Sequence, residues 1–261
     1  MHSRLTVSTL IFRNTTIEVI GDSCAKAGID RVGLSSAVLE RDSVAHIAEV
    51  QRKHQIDVTH FAVKDLVTTE SEVSESAQIS LDAASELGAR FIYGLTGPAV
   101  PLEWDDAASR FQDAVKPLKE EADRVGLPIL IESTSGVMTS DVSFIHNVRD
   151  AVDLVEMADI GLCFDINHSW SERHLADTIK RAGSRLRNVQ ISDMILGRRD
   201  RFRAAPGDGV IPLARILGWV LETGYSGLFD IEVSPEPGVE PDVTLARAVE
   251  QSEALLSEVG L

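Results

Sequence analysis

The stretch Asp123-Arg-Val-Gly-Leu-Pro-Ile-Leu-Ile-Glu132 decides how the rest of the chain is read. It holds the end of an amphipathic segment, a glycine, two connecting residues and an apolar run closed by a carboxylate. Upstream, Phe111, Val115, Leu118, Ala122 and Val125 recur three and four residues apart, the spacing of a helix with one buried face. Pro117 lies inside that segment and is predicted to kink it. Gly126 stands where a left-handed residue ends a helix. The run that follows is apolar on successive residues, which suits a strand buried on both faces of a parallel sheet. The same punctuation recurs in AKAGIDRVGL (25–34), SELGARFIYG (85–94) and LETGYSGLFD (221–230), with Gly28, Gly88 and Gly224 in the capping position.

Reading outward from these units, strands are predicted at Leu5–Leu10, Arg31–Leu34, Asp57–Phe61, Arg90–Tyr93, Pro128–Ile131, Ile160–Phe164, Leu186–Ile191 and Leu228–Ile231. Helical spacing separates them, as in Leu245, Val249, Ser252 and Leu256. Eight strand–helix units in 261 residues average about 33 residues each, which favours an α/β chain closed into a single (β/α)8 TIM barrel over a doubly wound open sheet. The apolar share of 44% with 25% charged residues is that of a globular chain, and no Pro/Gly/Ser-rich linker divides it, so residues 1–261 read as one domain.

Composition also excludes partners. A formal charge of −16 repels phosphate backbones, so nucleic acid is not expected. No apolar run approaches the ~20 residues of a membrane span, and the start Met1-His2-Ser3-Arg4-Leu5 lacks the apolar core of a signal peptide, so no membrane is expected and a cytoplasmic location is. Cys24 and Cys163 fall in a predicted helix and a predicted strand and read as reduced core thiols. A homo-oligomer is compatible with the pattern, because an apolar helix face buries equally well against the barrel or a neighbour.

In a parallel barrel, functional groups gather at the C-terminal strand ends. Four ends in the second half of the chain are polar: Glu132 after PILI, Asp165 after GLCF, Gln190 within NVQISD and Glu232 after LFDI. Singly, such an acid reads as well as an arginine partner or a helix cap. Jointly, three carboxylates at one barrel mouth repel one another unless a cation neutralises them. Three carboxylates and an amide oxygen are hard donors, suited to Mn2+ or Mg2+ before Zn2+. Further residues are candidates to bind substrate. His60 ends the predicted third strand and lines the pocket or, alternatively, sits in the core. Trp170 offers an apolar wall for a substrate ring or packs beneath its loop. Arg198, Arg199, Arg201 and Arg203 lie on the loop after the seventh strand, where they hold an anionic group of the substrate or screen the acidic surface.

From LTVSTLIF (5–12) through GARFIYGLTGP (88–98), LIEST (130–134), FDINHSW (164–170), VQISD (189–193), RAAPGDGVIPL (203–213) and GYSGLFDIEV (224–233), the chain resembles the sugar phosphate isomerase/epimerase superfamily of xylose isomerase-like barrels. The resemblance implies one divalent cation held by Glu132, Asp165, Gln190 and Glu232, a substrate-binding role for His168, and a matching role for Arg203 before Pro-Gly-Asp-Gly. Gln190 departs from the family's His-x-x-Asp, whose aspartate survives as Asp193. With Glu132 and Glu232 as catalytic acid and base, the implied activity is that of a metal-dependent isomerase or epimerase. Its substrate is a keto-sugar or related polyol, reacting by proton transfer through an enediolate. The alternatives are a lyase, dehydrating a keto-inositol or cleaving a 3-keto glycoside, and a non-catalytic sugar-binding protein. Only seven histidines argue against the three-metal endonuclease IV type of the superfamily.

Overall fold

All eight predicted runs form strands in the computed structural model, which describes residues 1–12, 15–69, 72–98, 102–135, 142–198, 202–235 and 237–261. They are β1 (Leu5–Ser8), β2 (Arg31–Ser35), β3 (Asp57–Asp65), β4 (Phe91–Leu95), β5 (Ile129–Glu132), β6 (Gly161–Asp165), β7 (Leu186–Ile191) and β8 (Leu228–Ile231). Each pairs in parallel with its successor, and Leu5↔Phe229 and Val7↔Ile231 join β1 to β8, closing a (β/α)8 barrel. The outer helices are α1 (Ile17–Lys26), α2 (Val44–His54), α3 (Glu75–Leu87), α4 (Trp104–Val125), α5 (Val148–Ala158), α7 (Leu175–Ala182), α8 (Leu213–Glu222) and α9 (Pro241–Glu258), with a one-turn α6 (Ile166–Ser169) directly after β6.

Local chemistry sets the helix ends. Ser43, Ser74 and Asn147 accept a hydrogen bond from the backbone N–H three residues on, at the starts of α2, α3 and α5. Gly88 and Gly126 end α3 and α4 with φ near +74° and +73°, which a side chain would resist. The predicted kink does not end α4, which continues through Pro117. Between strands and helices lies one continuous apolar core; inside the barrel, Phe91, Tyr93, Leu130 and Cys163 form a second, smaller cluster. Cys24 and Cys163 are free and buried.

β3 runs four residues beyond the predicted Phe61, which corrects the reading of His60 as a strand-end pocket residue. Mid-strand, its ring is fully buried, stacks on Phe91 at 4.8 Å, and sits 3.0 Å from Thr59 Oγ1 and 3.5 Å from Asp230 Oδ2. Gly33 on β2 makes room for it: a Cβ there would stand 2.0 Å from His60 Nε2. Overpacking of this kind costs about 1–3 kcal/mol or more. Gly33→Ala should therefore lower the thermal midpoint, and the double variant Gly33→Ala/His60→Ala should melt closer to His60→Ala than additivity allows; additive losses would show that the two do not share the space.

Candidate functional site

Because the strands are parallel, their C-terminal ends open on one face. Glu132 closes β5, Asp165 closes β6, Gln190 is the penultimate residue of β7, and Glu232 follows β8 directly. Register places Glu132 opposite Cys163, and Asp165 opposite Gln190. Above them lies a pocket of about 720 Å³ lined by Glu132, His168, Trp170, Arg203 and Glu232. Asp165 and Gln190 are fully buried beneath it. Trp170 lines the pocket and also packs against the core. At the opposite end, a depression of about 510 Å³ has charged groups that pair with one another, such as Lys119 with Asp123 and Asp159.

Arg203 organises the floor of the site. Its Nη2 lies 2.5 Å from Asp165 Oδ2 and 3.0 Å from His168 Nε2, and its Nε lies 3.3 Å from Glu232 Oε1. A guanidinium cannot accept, so Nε2 of His168 must be the acceptor, which leaves the proton on Nδ1. That nitrogen is 3.2 Å from Asp165 Oδ2, 3.3 Å from the Ser133 carbonyl and 3.6 Å from Glu132 Oε1. The other Asp165 oxygen caps α6 by accepting the N–H groups of Asn167 and His168 at 2.8 and 3.4 Å. One carboxylate thus ends a strand, starts a helix and holds an arginine.

The loop carrying Arg203 is held by a residue that sequence reasoning recorded only as a surviving family aspartate. Asp193 accepts from the N–H of Met194 at 2.8 Å, of Ile211 at 2.9 Å and of Gly207 at 3.0 Å, and its backbone pairs in both directions with Ala204. A Cβ at Gly209 would come within 2.4 Å of its carboxylate. Ser234 binds the Arg203 backbone from the other side: its Oγ accepts the Arg203 N–H at 2.9 Å, and its own N–H donates to the Arg203 carbonyl. The pocket wall adds Met194, Ile195 and Phe202, with the Arg198 guanidinium 3.7 Å from the centre of the Phe202 ring. Arg199 and Arg201 lie outside the described residues. No single-residue signal singles out these wall residues, because they follow the strand end in a loop of irregular pattern.

Gln190 presents its amide nitrogen to the site. Nε2 donates to Glu232 Oε2 and, at 3.1 Å, to the Tyr93 hydroxyl, while Oε1 faces the Cys163 thiol at 3.3 Å. Its oxygen would face the pocket only with the amide turned end for end.

Burial, followed by the neighbouring charges of Glu232 and Asp165, holds the Glu132 carboxyl well above the usual carboxylate range. Burial also pushes Glu232 up to about 7, against the opposing pull of Arg203. Asp165 is lowered despite its burial, because Arg203 and His168 sit beside it. Ionised together, three carboxylates against one guanidinium would leave the floor short of positive charge, which is part of why two of them are driven up. Glu132, Asp165 and His168 also bring one donor atom each within 4.8 Å of one another. Hard oxygen donors with surplus negative charge fit a divalent cation.

A family model described as xylose isomerase-like TIM barrel matches residues 22–253. Fructoselysine 3-epimerase of Escherichia coli O157:H7 is 23% identical over 189 residues, covering 72% of this chain and 68% of that protein. A protein from Sinorhizobium meliloti 1021 superposes with a TM-score of 0.84 at 21% identity, covering 97% and 98% of the two chains. D-psicose 3-epimerase of Clostridium cellulolyticum H10, solved with D-tagatose, superposes at 0.76 with 15% identity, covering 97% and 99%. At these identities the structural likeness is one of fold. Among the described residues, no helix is long and apolar enough to cross a membrane.

The raised Glu232 carboxyl makes stability depend on pH. An unfolded glutamate loses its proton near its ordinary 4.5, whereas the folded one keeps it until about 7, so rising pH favours unfolding across that window. The loss, complete above pH 7, is on the order of 3 kcal/mol for this group. In chelator-treated protein, melting curves from pH 4.5 to 7.5 should fall more steeply for wild type than for Glu232→Gln, where the raised Glu132 alone keeps a shallower decline. Parallel curves would count against the assignment.

Proposed function

The chain belongs to the family of xylose isomerase-like TIM barrels, and from that premise we propose that it is a divalent-metal-dependent isomerase or epimerase of a keto-sugar or related polyol. The observation that carries this reading is the convergence of Glu132 and Glu232 on one pocket, from strands three apart in the barrel, with Glu232 poised near neutrality. The epimerase activity in the name of the fructoselysine relative and the sugar acted on by the psicose epimerase point the same way.

Glu132, Asp165 and Glu232 would hold the cation, with Gln190 joining through its oxygen once the amide is turned; Mn2+ and Mg2+ suit these donors better than Zn2+. Bound there, a divalent ion supplies Lewis-acid polarisation of a carbonyl. One of the facing glutamates takes the proton next to that carbonyl, leaving an enediolate, and the other returns a proton from its own side. Either glutamate can take the first role, since both face the pocket where the sugar would lie. Arg203 and His168 donate to oxygens of the bound sugar, and Trp170 covers its apolar face. Return of the proton to the same carbon gives an epimer, and to the adjacent carbon an aldose–ketose pair. Expulsion of a β-substituent from the same enediolate would make the protein a lyase.

The test is elemental analysis of purified protein beside a Glu132→Ala/Asp165→Ala variant, followed by incubation of metal-loaded protein with keto-sugars in deuterated water. About one ion per chain is expected, absent in the variant, with deuterium entering at the carbon next to the carbonyl. Glu232→Gln should slow that exchange by ~10²–10⁴-fold. An unsaturated product that has lost both the β-substituent and the hydrogen next to the carbonyl would select the lyase. Metal with no exchange for any keto-sugar would reduce the protein to a binding one.

A further inference from the structure

We propose that Arg203 competes with the divalent cation for Asp165 and thereby sets the metal affinity of the site; this inference rests on the metal-site reading above. Asp165 has no idle oxygen. Oδ1 is taken by the N–H groups that start α6, and Oδ2 meets Arg203 Nη2 at 2.5 Å and His168 Nδ1 at 3.2 Å. Glu232 is covered in the same way, with Oε1 beside Arg203 Nε at 3.3 Å and Oε2 accepting from Gln190. Donors therefore stand where a cation would need oxygen lone pairs, and the shortest contact on Asp165 belongs to Arg203.

A cation that takes Asp165 Oδ2 must push Nη2 away. The Arg203 backbone is clamped to Ser234 and its neighbour Ala204 to Asp193, so the displacement falls to side-chain rotation. The pocket that Arg203 already lines is the open direction. Each state keeps a positive charge among the carboxylates: the guanidinium in the metal-free protein, the cation in the loaded one. Metal binding is then an exchange of cations, and its affinity is reduced by whatever Arg203 contributes to the empty site. An ionised contact at this distance between a buried carboxylate and a part-buried guanidinium is among the strong ones, so removing it should tighten metal binding by about tenfold or more.

The experiment titrates Mn2+ into chelator-stripped wild type, Arg203→Met and Arg203→Lys, reading affinity by calorimetry and thermal midpoint with and without saturating Mn2+. Arg203→Met should bind Mn2+ about tenfold or more tightly. It should also melt below wild type in chelator, and the gap should close in Mn2+. Arg203→Lys, whose ammonium reaches one carboxylate at a time, should lie between the two and serves as the probe if the methionine variant does not fold. Unchanged or weaker Mn2+ binding in the variants would overturn the competition while leaving the metal site standing. Failure of all three proteins to bind Mn2+ at millimolar concentration would overturn the metal-site reading, and the competition with it.

Discussion

The structure depends on the burial of three carboxylates at one end of a parallel barrel around a single bridging guanidinium. Glu132, Asp165 and Glu232 end three of four successive strands, and Arg203 touches two of them. Burial favours protonation, the arginine opposes it, and the two effects divide the three groups. Asp165, in closest contact with Arg203, is held ionised, whereas Glu132 and Glu232 are driven up. Carboxyls of one chemical type are thereby separated by their surroundings into one held ionised and two that favour the protonated form.

That separation requires Arg203 to arrive in the right place from a loop. Asp193 ties the backbone of Met194, Gly207 and Ile211 together and pairs with Ala204, while Ser234 brings the segment after β8 against Arg203. The loop after β7 is thus anchored through buried and part-buried hydrogen bonds. A preorganised site has this need, since a misplacement of about 1 Å costs far more than the bonds that prevent it.

Below the charged floor the barrel interior holds polar contacts beside its apolar cluster, with His60 against Asp230 and Asn188 donating to Cys163. This layer consumes the thiol and the histidine that could otherwise be read as reactive groups. Gln190 links it to the site, donating to Glu232 above while its oxygen meets Cys163. The amide in place of the family's histidine is therefore integrated with the inner packing as well as with the carboxylates.

The repeated unit of helix, glycine and apolar run was legible residue by residue, because helix capping and burial on both strand faces are local and periodic. The chain alone therefore determined eight strands, their order, and the polar ends at Glu132, Asp165, Gln190 and Glu232. Local pattern could not locate the end of β3, since its later residues Ala62–Asp65 are held by pairing with β4, a partner some thirty residues away. His60 accordingly moved from the mouth to the interior. Nor could it show that Arg203 bridges Asp165 and Glu232, that Gln190 turns its nitrogen to the site, or that Asp193 holds the loop. These are contacts among residues 29 to 97 positions apart or closed by a loop of irregular pattern, and only barrel closure, by bringing the strand ends around one axis, determines which charge meets which.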